Sequence, residues 1–237
     1  MKYLVSRGEL KKNAVEGAME WIEANYELGV GLSIGVGSGS TVAHSFDLIA
    51  EKSGLTAVPT SKETKKELAQ RGVKVKELED FSGQLAFDID GADEVDPGLN
   101  LIKGGGGCHY REKKVAKRSD KLLIVVDQTK LVDYLGQSFP LPVEVESDLE
   151  ETARAELRRF GIPELRTQDD EPVKTDNANL IIDVKLEEKL EEAELEELEL
   201  EINGIEGVVE NGFFVRRKAD VVFVGTENGV KILGGGQ

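Results

Sequence analysis

Apolar residues recur along the first part of the chain with the periods of helices and of buried strands. An amphipathic helix is predicted over 9–26, ending near Gly29, because its apolar residues lie four apart. These residues are Leu10, Ala14, Ala18, Ile22 and Tyr26. The run GLSIGVG at 31–37 is typical of a buried strand, SGS forms a tight turn, and 41–52 again has a helical pattern.

The alternation of strands and helices continues to about residue 135. The predicted elements are, in order, a segment at 56–59 leading into a helix at 61–71, strands at 73–77 and 84–89, a helix at 111–118 and a strand at 121–126. The last strand is strongly apolar, as burial on both faces requires. This alternation predicts an α/β fold with a Rossmann-like parallel sheet and helices on both faces.

The second part of the chain predicts a smaller α+β (ferredoxin-like) domain. Two prolines in FPLPVEV, at 139–145, indicate an edge strand or a linker. The elements that follow are a helix at 149–160, a strand at 179–184 and an acid-rich helix at about 186–201 with a solvated acidic face. Short strands at 212–216, 220–225 and 229–233 are expected to return to the main sheet. We therefore predict a main catalytic domain of 1–135 and 208–237, and a small domain of 136–207.

The charge of the chain restricts its partners. Its 237 residues include 30 basic and 46 acidic residues, a net charge of -16 that repels nucleic acid and anionic lipid. We therefore expect neither nucleic acid nor a membrane as a partner, and a phosphate ester would need backbone N–H groups and a few lysines. The acidic surface fits adaptation to a salty cytoplasm or ordinary solubility. A single Cys108 excludes an intramolecular disulfide and a cysteine-cluster metal site, which suits the cytoplasm.

The turn after the first strand is a candidate anion site. Residues 35–41 read GVGSGST, which places backbone N–H groups and three hydroxyls at the positive end of the next helix dipole. The spacing matches neither the P-loop nor the dinucleotide fingerprint, which disfavours a dinucleotide dehydrogenase. A tight turn in which Ser40 caps the helix explains the same residues, so both interpretations stay open.

Carboxylates, a lysine and glycines follow the later strands of the predicted sheet. The carboxylates are Asp88, Asp90, Asp93, Glu94 and Asp96. At the carboxyl edge of a parallel sheet they indicate a magnesium site, a sugar site with acid-base groups, or turn acids around Gly91. Lys103 and the four glycines at 104–107 favour a ligand close to the backbone and beside a positive charge. Glu112 follows at the start of a helix and is a candidate general base.

These motifs resemble type A ribose-5-phosphate isomerase over most of the chain. The shared segments are GVGSGST, DGADE, KGGGG followed by REK, DQTK, FPLPVEV, TDN at 175–177 and GVVENGFF at 207–214. The resemblance implies interconversion of ribose 5-phosphate and ribulose 5-phosphate through an enediol, in the non-oxidative pentose phosphate pathway. It also implies that the enzyme needs no metal or organic cofactor and is a homodimer or homotetramer.

The resemblance also implies roles for individual residues. Glu112 is implied as the base and Lys103 as the group that offsets charge on oxygen, while Asp90 and Asp93 handle hydroxyl protons. The implied substrate-binding residues are Ser38, Gly39, Ser40, Thr41, Asp90, Gly91, Ala92, Asp93, Lys103, Gly104, Gly105, Gly106 and Lys130. The chain departs from the family pattern at Ser38, where threonine is usual, and before REK, where small or apolar residues are replaced by Cys108, His109 and Tyr110.

Other functions stay open on the sequence alone. Amino-sugar-phosphate deaminases and coenzyme A transferases share this general fold, and ammonia release or acyl transfer would reveal either activity. A non-catalytic sensor of a pentose phosphate is a further alternative. Such sensors usually carry a helix-turn-helix domain, for which this chain has neither the room nor the charge.

Overall fold

The structure, a computed structural model, describes residues 5–187 and 189–235. Residues 1–4, 236 and 237 of the predicted main domain, and residue 188 of the predicted acid-rich helix, lie outside the described residues. The chain divides into two compact units. The first unit comprises 1–92, 114–130 and 219–237, and the second unit comprises 93–113 and 131–218. The predicted domain boundaries stay a prediction.

The described residues form six α-helices and sixteen strands. The helices are α1 Arg7–Asn25, α2 Phe46–Ala50, α3 Lys62–Gln70, α4 His109–Lys117, α5 Glu150–Leu157 and α6 Glu192–Asn203. The strands are β1 Ser33–Val36, β2 Thr56–Pro59, β3 Lys74–Val75, β4 Asp88–Asp90, β5 Glu94–Val95, β6 Leu101–Ile102, β7 Leu122–Asp127, β8 Leu141–Val145, β9 Gly161–Leu165, β10 Thr167–Gln168, β11 Glu171–Pro172, β12 Leu180–Leu186, β13 Val208–Asn211, β14 Phe213–Phe214, β15 Val221–Thr226 and β16 Gly229–Gly234. Among these described helices, none is long and apolar enough to cross a membrane.

A seven-stranded sheet forms the centre of the first unit. Its order is β16-β15-β7-β4-β1-β2-β3. Neighbouring strands are parallel except at the edge, where β16 runs antiparallel to β15. Every residue of β2, β4 and β7 is buried, as expected for strands covered on both faces. The predicted α/β class, with helices on both faces of a parallel sheet, is confirmed.

Helix α1 packs against this sheet through an apolar face and begins at a capping box. The Ser6 hydroxyl accepts the N–H of Glu9, while the Glu9 carboxylate accepts the N–H of Ser6. A Cβ atom at Gly225 of β15 would lie 1.7 Å from the carbonyl oxygen of Leu10. Glycine at 225 therefore allows α1 to approach β15 more closely than any other residue would.

The second unit is built from antiparallel sheets, the helices α5 and α6, and the first residues of α4. A four-stranded sheet has the order β13-β8-β12-β9, a three-stranded sheet has the order β14-β6-β5, and β10 pairs with β11. The core combines residues from β8, α5, β12 and α6, among them Leu141, Val143, Ala153, Leu157, Ile182, Val184, Leu198 and Ile202. The predicted smaller α+β domain is thus present.

The prediction of an edge strand or linker at 139–145 is wrong, because β8 pairs with both β12 and β13. The carbonyl of Pro142 accepts the N–H of Gly212 at 2.7 Å, so the missing N–H of the proline faces the same side. On that side of β8 the pairing with β13 ends at Asn211. The hydrogen bonds between β8 and β12, on the other side, are unaffected by the proline. Pro142 has no N–H to donate to the carbonyl of Gly212, which instead accepts the N–H of Lys103 at 2.9 Å.

The three strands predicted to return to the main sheet do not all do so. β15 and β16 join the seven-stranded sheet, but β14 pairs with β6 in the second unit. The cause is burial, since Phe213 packs in the same apolar cluster as Ile102 and Val215. The predicted return of 212–216 to the main sheet is therefore wrong.

Candidate functional site

In the first unit, the glycine-rich turn after β1 is held by a buried aspartate. Oδ1 of Asp90 accepts the N–H of Ser38 at 3.2 Å and that of Gly91 at 2.7 Å. A Cβ atom at Gly37 would lie 1.9 Å from the same oxygen, so only glycine fits between the turn and Asp90. The structure thus brings together Asp90, Gly91 and Ser38, which the family resemblance assigned to one substrate site.

The helix after this turn is shorter than predicted. A 3-10 helix over Val42–Ser45 precedes the five-residue helix α2, and no side chain caps it. The alternative interpretation, in which Ser40 caps the helix, is therefore wrong. The Ser40 hydroxyl instead accepts a hydrogen bond from Nζ of Lys11 at 2.7 Å.

Lys11 was missed by the sequence analysis, which described α1 only by its apolar residues. Its ammonium brings a positive charge to Ser40, in a chain whose net charge is -16. The spacing of apolar residues in α1 shows which face packs, but it cannot show which polar residue meets a turn that lies 29 positions later. No sequence signal within α1 identifies Lys11.

The turn after β7 holds Lys130, the last residue of a 3-10 helix over Gln128–Lys130. Oδ1 of Asp127 accepts the N–H of Thr129 at 3.0 Å, and Oδ2 accepts Nε of Arg7 at 3.1 Å. Burial raises the pKa of Asp127, but the hydrogen bonds from Thr129 and Arg7 lower it by more. The pKa of Asp127 therefore lies below its ordinary value. A charged Asp127 therefore fixes the turn that carries Lys130.

In the second unit, Lys103 and Glu112 form a buried ion pair. Nζ of Lys103 lies 3.2 Å from Oε2 of Glu112, and the two side chains are only 3% and 6% exposed. Lys103 follows β6, and Glu112 lies in the first turn of α4, where the helix dipole favours a carboxylate. The Lys103 ammonium also lies 5.6 Å from the ring centre of Phe214, over its face. A carboxylate and an ammonium group are thus adjacent and shielded from bulk water.

The glycine run between these two residues needs glycine for conformational and steric reasons. Gly104 has φ +111°, and a Cβ atom there would lie 2.5 Å from Nδ1 of His109. Gly105 donates its N–H to Oδ2 of Asp93 at 2.7 Å, and a Cβ atom at this position would lie 2.6 Å from Oδ1 of Asp93. Asp93 and the predicted glycine run therefore come together in the second unit.

A second buried lysine lies next to Glu112 in α4. Nζ of Lys113 contacts Oε1 of Glu210 at 2.9 Å, Oε1 of Glu199 at 3.1 Å and the carbonyl of Asn211 at 2.8 Å. Its ammonium also lies 5.0 Å from the ring centre of Phe214, so this ring contacts the ammonium groups of both lysines. The first turn of α4 is thereby fixed within the second unit.

His109 is buried and has no solvent-exposed surface. Nε2 lies 3.3 Å from the carbonyl of Glu210, which makes Nε2 the protonated nitrogen of a neutral ring. Burial, reinforced by the charges of Lys113 and Arg166, lowers the pKa of His109 from 6.5 to about 3. The His109 ring lies against Gly104 of the glycine run. Its burial excludes direct contact with a substrate in this conformation.

The buried His109 makes stability sensitive to mild acid. Below pH 6.5, His109 takes up a proton in the unfolded chain but stays neutral in the folded chain. Stability is therefore lost as the pH falls toward 3. At pH 5 the loss from this residue is about 2 kcal/mol. We expect His109→Gln, whose amide still donates to Glu210, to lose about 2 kcal/mol less between pH 7 and pH 5 in urea unfolding. The exposed His44→Gln is the control, and an unchanged pH dependence in His109→Gln would contradict this assignment.

Two of the predicted carboxylates have structural roles. Glu94 is fully buried and accepts hydrogen bonds from Gly136, Ser138 and Phe139 at 2.6 to 2.8 Å. Asp96 accepts the N–H and the side-chain amide of Asn100. Within the described residues, no group of three or more His, Cys, Asp and Glu side chains is arranged to hold a metal ion.

Comparison with known proteins identifies the family of this chain. A family model of ribose 5-phosphate isomerase A (phosphoriboisomerase A) matches residues 56–229. The chain belongs to the ribose 5-phosphate isomerase A family. The suspected resemblance is thus confirmed, and the chain is an isomerase.

Relatives in this family match almost the whole chain. The ribose-5-phosphate isomerase A of Staphylococcus epidermidis is 41% identical over 235 residues, covering 95% of this chain and 96% of the relative. That of Neisseria meningitidis serogroup C is 42% identical over 237 residues, covering 97% and 98%.

Solved structures of the isomerase A family share the fold. The ribose 5-phosphate isomerase A of Methanocaldococcus jannaschii is 38% identical with a TM-score of 0.86, covering 97% of this chain and 100% of its own. A D-ribose-5-phosphate isomerase solved in complex with phospho-erythronic acid is also 38% identical, with a TM-score of 0.87 and the same coverage. Both likenesses extend over the first and the second unit.

Proposed function

We propose that this chain interconverts D-ribose 5-phosphate and D-ribulose 5-phosphate, in the non-oxidative pentose phosphate pathway and without a cofactor. The observation that carries the proposal is the buried Lys103–Glu112 pair beside the glycine run. Family membership supports the same reaction. So does the related structure that holds phospho-erythronic acid, because the carboxylate of that ligand resembles the planar, negatively charged enediolate of the reaction.

The reaction requires a base and a group that stabilises an oxyanion. In the opened aldose, removal of the C2 proton leaves an electron pair that forms the C1–C2 double bond, and the C1 oxygen takes the negative charge. Returning a proton to C1, with transfer of the proton on O2 to O1, gives the ketose. We assign the transfer of the proton from C2 to C1 to the carboxylate of Glu112.

We assign the stabilisation of the negative charge on the intermediate to groups of the second unit. The Lys103 ammonium supplies positive charge, and the glycine run 104–106 supplies backbone N–H groups at a point where the lack of side chains permits close approach. Asp93, which already accepts the Gly105 N–H, and Asp90 are assigned to hydroxyl protons and ring opening.

The phosphate is assigned to the turn of the first unit. Because the Ser38 N–H is bound to Asp90, phosphate binding depends on the hydroxyls and on the remaining N–H groups of residues 38–41. Lys11, which contacts Ser40, and Lys130 supply the positive charge that the acidic chain otherwise lacks. Gly91 and Ala92 complete the proposed substrate-binding residues.

We also propose that the enzyme is a cytoplasmic homodimer or homotetramer. The resemblance to the family supports an oligomer, and the single cysteine suits a reducing compartment. Light scattering after size-exclusion chromatography tests the assembly, since the chain mass is 25.9 kDa. A mass of one chain at micromolar concentration would contradict it.

The proposed reaction is tested with purified protein and ribose 5-phosphate in EDTA, at low and at molar salt. We expect ribulose 5-phosphate to form at both salt concentrations, with chelator present. A folded protein that binds ribose 5-phosphate but forms no ribulose 5-phosphate would contradict the proposal and would favour a pentose-phosphate sensor.

A further inference from the structure

The glycine run is held from one side by an arginine distant in sequence. Nη1 of Arg166 donates to the carbonyl of Gly104 at 2.9 Å and to that of Gly105 at 3.0 Å. Arg166 directly follows β9 and lies 61 and 62 positions from the two glycines. Two consecutive carbonyls of the run therefore face the same guanidinium group.

The guanidinium group is itself fixed by Asp183. Nε of Arg166 donates to Oδ2 of Asp183 at 2.7 Å and Nη2 donates to Oδ1 at 2.5 Å, which is a bidentate pair. Asp183 lies in β12, an interior strand of the four-stranded sheet, and the Arg166 side chain is only 14% exposed. The backbone of Arg166 is bound as well, with its N–H on Ile181 and its carbonyl on Val173. The arginine is therefore a rigid support.

The orientation of the carbonyls determines the orientation of the amides. In a trans peptide the C=O of one residue and the N–H of the next point in opposite directions. With the carbonyl of Gly105 on Arg166, the N–H of Gly106 points away from the arginine, and Gly106 is exposed. With the carbonyl of Gly104 on Arg166, the N–H of Gly105 points to Asp93.

We propose that Arg166, held by Asp183, is a positioning residue that fixes the glycine run so that the N–H of Gly106 is directed toward the substrate oxygen. The inference rests on the proposed isomerase function. Consecutive glycines lose more conformational freedom on ordering than any other residues, so a run without this support would have to be ordered during each turnover. Arg166 orders it beforehand and thereby lowers the barrier to the enediolate.

The test uses Arg166→Ala and Arg166→Lys, assayed for kcat and KM with ribose 5-phosphate and for inhibition by phospho-erythronic acid. We expect kcat to fall roughly 10- to 100-fold in both variants, with a much smaller change in KM. Lysine does not rescue the rate because a single ammonium cannot bind Asp183 and two carbonyls in the geometry of the arginine. Inhibition by the enediolate-like phospho-erythronic acid should weaken by about the same factor as kcat/KM. Added guanidinium ion, at a concentration that does not unfold the protein, should restore part of kcat in Arg166→Ala.

The matched control is Arg159→Ala, which removes an arginine of the second unit that is 53% exposed. Its kcat should equal that of the wild type. A wild-type kcat in folded Arg166→Lys, or in folded Arg166→Ala, would overturn the positioning role while leaving the proposed function intact. Failure of the proposed function is distinguishable, because the wild-type chain itself would then form no ribulose 5-phosphate.

Discussion

Replacing Glu112 by glutamine should lower kcat for ribose 5-phosphate by a factor of roughly 10² to 10⁴, with KM little changed. Glutamine keeps the length and the oxygen that faces Lys103, so the ion pair becomes a hydrogen bond and the packing is preserved. The amide cannot accept the C2 proton, so only the base is lost. Steady-state formation of ribulose 5-phosphate measures the effect, and the urea unfolding midpoint shows whether the fold is intact.

The matched control is Glu151→Gln, which makes the same change of charge at an exposed position of α5. We expect this variant to have the wild-type kcat. If folded Glu112→Gln turned over within threefold of Glu151→Gln, the carboxylate of Glu112 could not be the base.

Replacing Lys113 by methionine should destabilise the protein by about 3 to 5 kcal/mol, because it leaves buried carboxylates without their cation. Lys113 is 1% exposed, and its partners Glu199 and Glu210 are 4% and 8% exposed. Glu199 also accepts the N–H groups of Val215 and Arg216, so its movement would disturb the strand segment after β14. Urea unfolding at pH 7 measures the loss.

The acid dependence of stability separates this ion pair from simple packing. Burial alone raises the pKa of Glu210, but the Lys113 ammonium and hydrogen bonds from Lys113, Asn203 and Asn211 more than offset it, so the net pKa is lowered. The stabilisation from this carboxylate is therefore present above its ordinary pKa of 4.5 and is lost as the pH falls below it. In Lys113→Met this acid-induced loss should be smaller.

Lys114→Met is the control for this variant, since it makes the same chemical change at the next, exposed position of α4. Its free energy of unfolding should lie within about 0.5 kcal/mol of the wild type. Equal stabilities for Lys113→Met and Lys114→Met would show that the buried cation contributes nothing.

The parallel sheet was predictable because its signal is local. Strands such as β2 and β7 are apolar throughout, and the glycine turn after β1 separates a strand from a helical segment within ten residues. β8 could not be predicted in the same way, because the tolerance of Pro142 depends on where β13 ends, 69 positions later in the chain. The pairing of β14 with β6 likewise depends on a distant partner.

The candidate site was predictable only where a motif brings its residues together. Lys103, the glycine run and Glu112 lie within ten positions, and the structure places the carboxylate of Glu112 beside the ammonium of Lys103. Lys11, Arg166 and Asp183 act on the turns through tertiary contacts, and an isolated charge in a helix or strand gives no sign of such a contact. The TDN motif is a related case, since Thr175 and Asn177 bind the buried Glu144 rather than any exposed group.

The most direct test of proton transfer by Glu112 is exchange in deuterium oxide, followed by NMR of the C1 and C2 positions. With ribose 5-phosphate and EDTA, we expect wild-type protein to form ribulose 5-phosphate and to introduce deuterium at C1 of the ketose and at C2 of the recovered aldose. Glu112→Gln should do so at least 100-fold more slowly. Exchange by Glu112→Gln at the wild-type rate, or a folded wild-type protein that neither converts nor exchanges the substrate, would contradict the proposed mechanism.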